Sequence, residues 1–287
     1  MGEDYHAAFV AMATPCEIRV QTVDSALAET LALLAQQEAL RIEHKFSRYR
    51  GDSVVGLINA SGRDGLLVDA ETADLLDFAQ ECHDASDGLF DITSGVLRRV
   101  WRFDGSDQLP APGRIAALMP LVGWRKVSWR KPHLRLVPGM EIDFGGLAKE
   151  YAVDLALHQL ASATARPVLV NFGGDLRVSG PRDGGSAWHV AIESVEMAGN
   201  AAGVIRLSSG ALATSGDARR FILRDGVRYG HILDPRTGWP VKSPPRSVTV
   251  AAETCVEAGL TATLAMLQGK DAEAFLKEEE VRAWCIR

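Results

Sequence analysis

Two glycine pairs limit what this chain can become. In Val168-Leu169-Val170-Asn171-Phe172 an apolar run meets Gly173-Gly174, then resumes as Asp175-Leu176-Arg177-Val178. Branched and aromatic side chains favour strands, and glycine lets the backbone bend where a Cβ would clash. The segment is expected to form two strands bent at Gly173-Gly174. The second pair, Gly145-Gly146, follows Glu141-Ile142-Asp143-Phe144 and precedes a helical pattern over residues 148–163. A strand running into Gly-Gly and then a helix is expected there.

The rest of the chain fills in around these pairs. Residues 6–22 read as a hairpin broken at Thr14-Pro15. Asp24-Ser25 offers an N-cap for a helix to about residue 45, with Leu27, Leu31, Leu34 and Ile42 on one stripe. Further helices are expected over 70–85, 256–267 and 270–280, and further strands over 188–192, 204–207, 229–234, 247–251 and 281–286. Hairpins interspersed with a few helices predict an α+β fold, with mixed or antiparallel sheets packed against helices. The chain reads as a single domain over 1–287, with room for a loop-rich subdomain around 96–140 anchored by Trp101, Trp124 and Trp129.

Composition excludes several classes of function. The formal net charge is −6, without a basic stripe interleaved with aromatics, so nucleic acid is not an expected partner. No apolar run reaches the roughly 18 residues of a membrane span. Cys16, Cys82, Cys255 and Cys285 are scattered without a CxxC pair, which fits a reducing compartment rather than a disulfide scaffold or zinc site. The acidic start, Met1-Gly2-Glu3-Asp4-Tyr5-His6, lacks the features of a secretory signal. The expectation is a cytoplasmic protein, unless a signal has been removed.

The densest chemistry lies in Tyr229-Gly230-His231-Ile232-Leu233-Asp234-Pro235-Arg236-Thr237-Gly238. Alternation puts Tyr229, His231 and Leu233 on one face. Asp-Pro-Arg-Thr-Gly then has the makings of a tight turn. His231 reads either as a packed strand histidine or as an imidazole aimed at a loop-lined cleft. Gly145-Gly146 at a helix start exposes free N–H groups suited to an anion, and Lys149 beside it suits phosphate or is a solvated helix-end lysine. Tyr49, in the polar loop Phe46-Ser47-Arg48-Tyr49, either anchors the loop or stacks on a flat ligand. The small residues of Thr214-Ser215-Gly216-Asp217 bring backbone and hydroxyls close to something.

Taken together these motifs resemble the ApbE family of FAD:protein FMN transferases over nearly the whole chain. The carriers are Phe46-Ser47-Arg48-Tyr49 with Ser53 and Asn59, then Gly88-Leu89-Phe90-Asp91, then Asp143-Phe144-Gly145-Gly146-Leu147-Ala148-Lys149. They continue with Asn171-Phe172-Gly173-Gly174-Asp175, Thr214-Ser215-Gly216-Asp217 and His231-Ile232-Leu233-Asp234-Pro235-Arg236-Thr237-Gly238. The resemblance implies an architecture of the ApbE (T-fold-like) type. It implies FAD as substrate, Mg²⁺ as cofactor, and an acceptor flavoprotein whose threonine hydroxyl attacks the FMN-side phosphorus while AMP leaves. It implies His231 as the catalytic base, with Asp234 and Arg236 shaping the turn. Tyr49, Gly145, Gly146, Lys149, Gly174, Asp175, Ser215, Gly216, Asp217 and Thr237 are the implied FAD contacts. An FAD-binding protein without transfer, or an FAD pyrophosphatase giving FMN and AMP, are the alternatives.

The likeness departs at the metal. The family combines a carbonyl at the position of Ala148 with an Asp and a Thr four residues later. Thr263 is present here, but Gly259 stands where the family has Asp. Glu150 stands where the family commonly has Gly. The expectation is that Glu150 supplies the charge from the opposite wall; the alternative is an ordinary first-turn helix acid favoured by the dipole. Glu257 is a weaker substitute, since residues two apart on a helix do not share a face.

Overall fold

The computed structural model describes residues 4–194, 201–218 and 220–287. The chain opens with β1 (Asp4–Ala11) and β2 (Thr14–Gln21), followed by α1 (Ser25–Phe46), α2 (Val54–Ala60), β3 (Leu66–Leu67) and α3 (Ala70–Ala85). The middle carries α4 (Pro112–Leu118), β4 (Ser128–Arg130), β5 (His133–Arg135) and α5 (Ala148–Ala163). Then come β6 (Val168–Phe172), β7 (Asp175–Val178), β8 (Trp188–Glu193), β9 (Ala201–Leu207) and β10 (Gly210–Gly216). The chain ends with β11 (Phe221–Arg224), β12 (Val227–Gly230), β13 (Ser247–Ala252), α6 (Cys255–Leu267), α7 (Ala272–Glu278) and β14 (Arg282–Ile286).

The principal sheet has seven strands in the order β1-β2-β6-β7-β10-β13-β14, every neighbouring pair antiparallel. Its two faces follow from alternation along the strands. On β6, Val168, Val170 and Phe172 point into the main core, while Leu169 points the other way. The main core holds Leu31, Ala35 and Ile42 of α1, Ala152, Val153 and Ala156 of α5, and Ala258, Ala262 and Ala265 of α6. The opposite face, Leu169, Leu176, Val178 and Leu212, is covered by Trp188, Ile205 and Leu207 of the β8–β9 hairpin. A third cluster gathers Val96, Leu97, Trp101, Ile115, Val122 and Ile222, with Tyr229, Leu233 and Trp239 packed against it.

Most expected elements form. Asp24 caps α1 through Leu27 N at 3.0 Å, and α3 and α5 span the expected ranges. Two expectations fail. Residues 141–144 form no strand. The Asn59 side chain takes the place of a strand partner: its Nδ2 donates to Ile142 O at 3.1 Å, and Ile142 N donates to its Oδ1 at 2.8 Å. Asp143 N donates to Ile92 O at 2.9 Å. The backbone is satisfied without a sheet. The other failure is the strand over 229–234, because β12 ends at Gly230. Beyond it only Leu233 bridges Pro240. The alternation of faces still continues: Tyr229 and Leu233 pack on the third cluster, Ile232 on the main core. The small residues of 211–216, expected only to bring backbone close to a neighbour, form β10 and run between β7 and β13. No described helix is long and apolar enough to cross a membrane.

Candidate functional site

The start of α5 is the hub. Leu147 N and Ala148 N both donate to Phe144 O at 2.8 Å, so Gly145-Gly146 forms a tight turn into the helix. Asp143 stabilises that turn from inside, accepting from Gly145 N at 2.9 Å. Its other oxygen is ion-paired with Arg48. Arg48 in turn donates to the Tyr49 hydroxyl at 2.8 Å and lies 5.0 Å from the Tyr49 ring centroid. Tyr49 is 78% exposed yet tethered by its hydroxyl, which leaves ring surface for a flat ligand.

Lys149 forms an ion pair with Asp175, the first residue of β7 after the Gly173-Gly174 turn. Asp175 is buried and also accepts from Thr214 N at 3.0 Å. The helix start, the hairpin turn and β10 are thereby cross-linked. Gly174, at φ 100°, has open space where a Cβ would sit, and its N–H donates to Asn171 Oδ1 at 2.9 Å.

Glu150 turns inward from α5. It is 8% exposed, and its Oε2 is buried with no hydrogen-bond partner. The nearest cation, Lys149 Nζ, lies 3.9 Å from the other oxygen. Its side chain rests on α6 at Gly259, where a Cβ would lie 2.5 Å from Glu150 Cγ. Thr263 follows Gly259 by one helical turn on the same face. The Thr263 hydroxyl shares a 2.9 Å hydrogen bond with Ser215 of β10. Glu257 is exposed and faces solvent in the first turn of α6.

Asp217 follows β10 directly. It is 3% exposed and sits between Arg228 and Arg246, each donating at 2.8 Å. Its carboxylate acts electrostatically on His231. The imidazole stands edge-on to Phe103, with ring centroids 6.3 Å apart, and its Nδ1 is buried without a partner. Burial lowers the His231 pKa below the ordinary 6.5, and the charge of Arg220 lowers it further; a hydrogen bond to the Arg220 backbone and the charge of Asp217 oppose both. The imidazole is therefore neutral at neutral pH and able to accept a proton.

The turn after His231 forms as its composition predicts. Thr237 N and Gly238 N donate to Asp234 O at 3.1 and 2.8 Å. Arg236 N donates to Asp234 Oδ1 at 2.9 Å, and the Arg236 guanidinium pairs with the same carboxylate at 2.8 Å. Gly238 takes φ 72°, and its carbonyl accepts from Trp101 Nε1 at 2.8 Å. The Thr237 hydroxyl accepts from Trp239 N at 3.2 Å. Asp234 and Arg236 are thus partnered with each other, with Arg236 reaching outward.

The expected residues fall into two linked groups. Ala148, Lys149, Glu150, Asp175, Ser215 and Thr263 converge around the α5 start. His231 joins them through Asp217, two residues beyond Ser215. Arg48, Asp143, Arg228 and Arg246 were not singled out by sequence. Arg48 adjoins Tyr49 and Asp143 precedes the Gly-Gly pair, so adjacency was a usable signal for these. Arg228 and Arg246 reach Asp217 only through the tertiary fold. Cys255 is no candidate, because burial and the neighbouring carboxylates of Glu150 and Asp154 hold its thiol protonated.

Comparison with known proteins bears on the family and the fold. The ApbE family profile matches residues 12–285. A protein from Vibrio cholerae named FAD:protein FMN transferase is 29% identical, covering 94% of this chain and 83% of its own length. One of the same name from Treponema pallidum is 30% identical, covering 96% and 82%. The crystal structure of an ApbE protein from Thermotoga maritima superposes with a TM-score of 0.88 at 31% identity, covering 99% of this chain and 94% of that one.

Proposed function

The chain belongs to the ApbE family, and from that premise we propose that it is an FAD:protein FMN transferase. It moves FMN from FAD to a threonine of an acceptor flavoprotein and releases AMP. The observation that carries this reading is His231, a half-buried imidazole kept neutral by burial and linked through Asp217 to β10, the strand that carries Ser215. In the proposed reaction the acceptor threonine gives its proton to the His231 imidazole. Its oxygen bonds to the FMN-side phosphorus, and the bond from that phosphorus to the AMP oxygen breaks. Such displacement depends mainly on positioning and charge neutralisation. Lys149 and the dipole of the α5 N-terminus supply positive potential for the pyrophosphate. Tyr49, pinned by Arg48, supplies a stacking surface for a ring of FAD.

The residues present fit a Mg²⁺ ion. Its donors would be all oxygen: the Ala148 carbonyl, the Thr263 hydroxyl and a nearby carboxylate. Among the described residues no three His, Cys, Asp or Glu side chains converge as an all-side-chain metal centre. When bound, Mg²⁺ neutralises charge developing on the pyrophosphate.

The test is incubation with FAD, Mg²⁺ and a threonine-containing acceptor peptide or domain, read by mass spectrometry of the acceptor and an AMP assay. An acceptor gaining the mass of FMN with release of AMP supports transfer. Free FMN and AMP with an unmodified acceptor would establish hydrolysis instead. Intact bound FAD would reduce the protein to a flavin binder.

A further inference from the structure

We infer that Glu150 and Gly259 are a sterically exclusive pair, in which Glu150 of α5 is the carboxylate ligand of the cation site and Gly259 of α6 is the space it needs. The inference rests on the proposed transferase reading for the identity of the cation, and on the geometry for the rest.

A buried carboxylate is costly unless paired or bound to metal. Glu150 is buried, and its Oε2 has no protein partner. The cation at hand, Lys149, is engaged by Asp175 and lies 3.9 Å from Oε1. The side chain is therefore poised toward a group the protein does not itself provide. Three oxygen sources lie on the elements that pack together here: the carbonyl of Ala148 two residues earlier on α5, Thr263 one turn beyond Gly259 on α6, and Ser215 of β10, hydrogen-bonded to Thr263 at 2.9 Å. Oxygen donors with a single carboxylate suit a small hard cation.

Gly259 explains how the carboxylate fits. A Cβ there would meet Glu150 Cγ at 2.5 Å, and Cδ and Oε1 at 3.1 Å. No rotation of a residue at 259 avoids the first contact, because the Cβ position is set by the backbone. Any side chain at 259 must displace Glu150 from its present rotamer, so the carboxylate as placed here and a side chain at 259 exclude each other. The helix pair can place one from α6, or one from α5 over a glycine. This chain has taken the second arrangement.

Mn²⁺ serves as the probe, measured by electron paramagnetic resonance on the full chain with and without FAD, alongside thermal melting. Glu150→Gln keeps the shape and removes the charge. It is expected to weaken Mn²⁺ binding by at least about tenfold, the lower bound seen when even an outer partner of a ligand is lost, with melting unchanged or raised. Gly259→Asp alone is expected to lower the melting temperature and weaken Mn²⁺. Glu150→Gly combined with Gly259→Asp is expected to recover both. Unchanged Mn²⁺ affinity in Glu150→Gln overturns the inference. So does a folded double variant that fails to regain the metal, or wild-type protein that binds no Mn²⁺ in either condition. Loss of Mn²⁺ in Glu150→Gln while the acceptor stays unmodified by the wild type leaves this metal site standing and removes the transferase reading alone.

Discussion

Asp154 and Glu150 sit one turn apart on α5, and both face α6. Every oxygen of Asp154 is occupied: Arg177 Nη1 donates at 2.8 Å, Cys255 N at 2.9 Å and Val256 N at 3.0 Å. It thus satisfies orphan donors at the start of α6 and neutralises a guanidinium. Glu150 has a buried oxygen with no partner. One carboxylate spends its capacity on the scaffold, while the other keeps it for a ligand. The same division holds elsewhere. Asn59 and Asp217 are fully engaged in holding backbone and arginines, whereas His231 Nδ1 is buried and unpaired. Unsatisfied buried groups are rare in folded proteins and concentrate where function needs them.

If that division is real, substitutions should separate activity from stability. The largest effect is expected from His231→Ala, which should lower FMN transfer by about 10² or more, the ordinary worth of a general base. FAD binding and melting should stay near wild type, and equilibrium dialysis with acceptor mass spectrometry distinguishes the two. A parallel loss of folding would place His231 with the scaffold groups. Asp154→Ala should behave in the opposite way. It strands two backbone N–H groups and Arg177, at a cost of about 3 kcal/mol, measurable by chemical denaturation. Asn59→Ala should cost about 2 kcal/mol by orphaning both backbone groups of buried Ile142. Normal denaturation midpoints in both would break the comparison.

The smallest effect concerns pH. Because the folded His231 pKa lies below 6.5, the unfolded chain takes up its proton first as pH falls. The contribution of His231 to stability is thus fully present above 6.5 and declines as pH falls through the window beneath that value. The acid limb of transfer should likewise have its midpoint below 6.5, since the neutral imidazole is the active form. Arg220 depresses this pKa after burial does, so Arg220→Gln should move the limb upward, toward 6.5. A limb that stays put or moves to lower pH would remove Arg220 from the account.

Much of the fold was legible from local pattern. Strong periodicity, caps and breakers placed α1, α3, α5 and the first hairpin, because these depend on neighbours in sequence. The segment at 141–144 has the pattern of a strand but is none, since the partner that satisfies its backbone is a side-chain amide more than eighty residues earlier. The continuation of β12 through His231 failed for a related reason: the chain leaves its hairpin partner at Gly230 and is anchored instead by the turn and by Trp101. At the candidate site, residue types and order single out His231, Lys149, Ser215 and Thr263, but not the arginines that clamp Asp217.

By itself the sequence determined the α+β class, the glycine turns, the Asp-Pro-Arg-Thr-Gly corner and the family likeness. It also contained both halves of the exchange, a glycine at 259 and a glutamate at 150, separated by more than a hundred residues. Only the tertiary structure decided that these halves meet. Helix packing brings α5 against α6, and a glycine's missing Cβ matters only through what occupies its place. Here the occupant is the buried side chain of Glu150, whose Oε2 finds no partner in the protein.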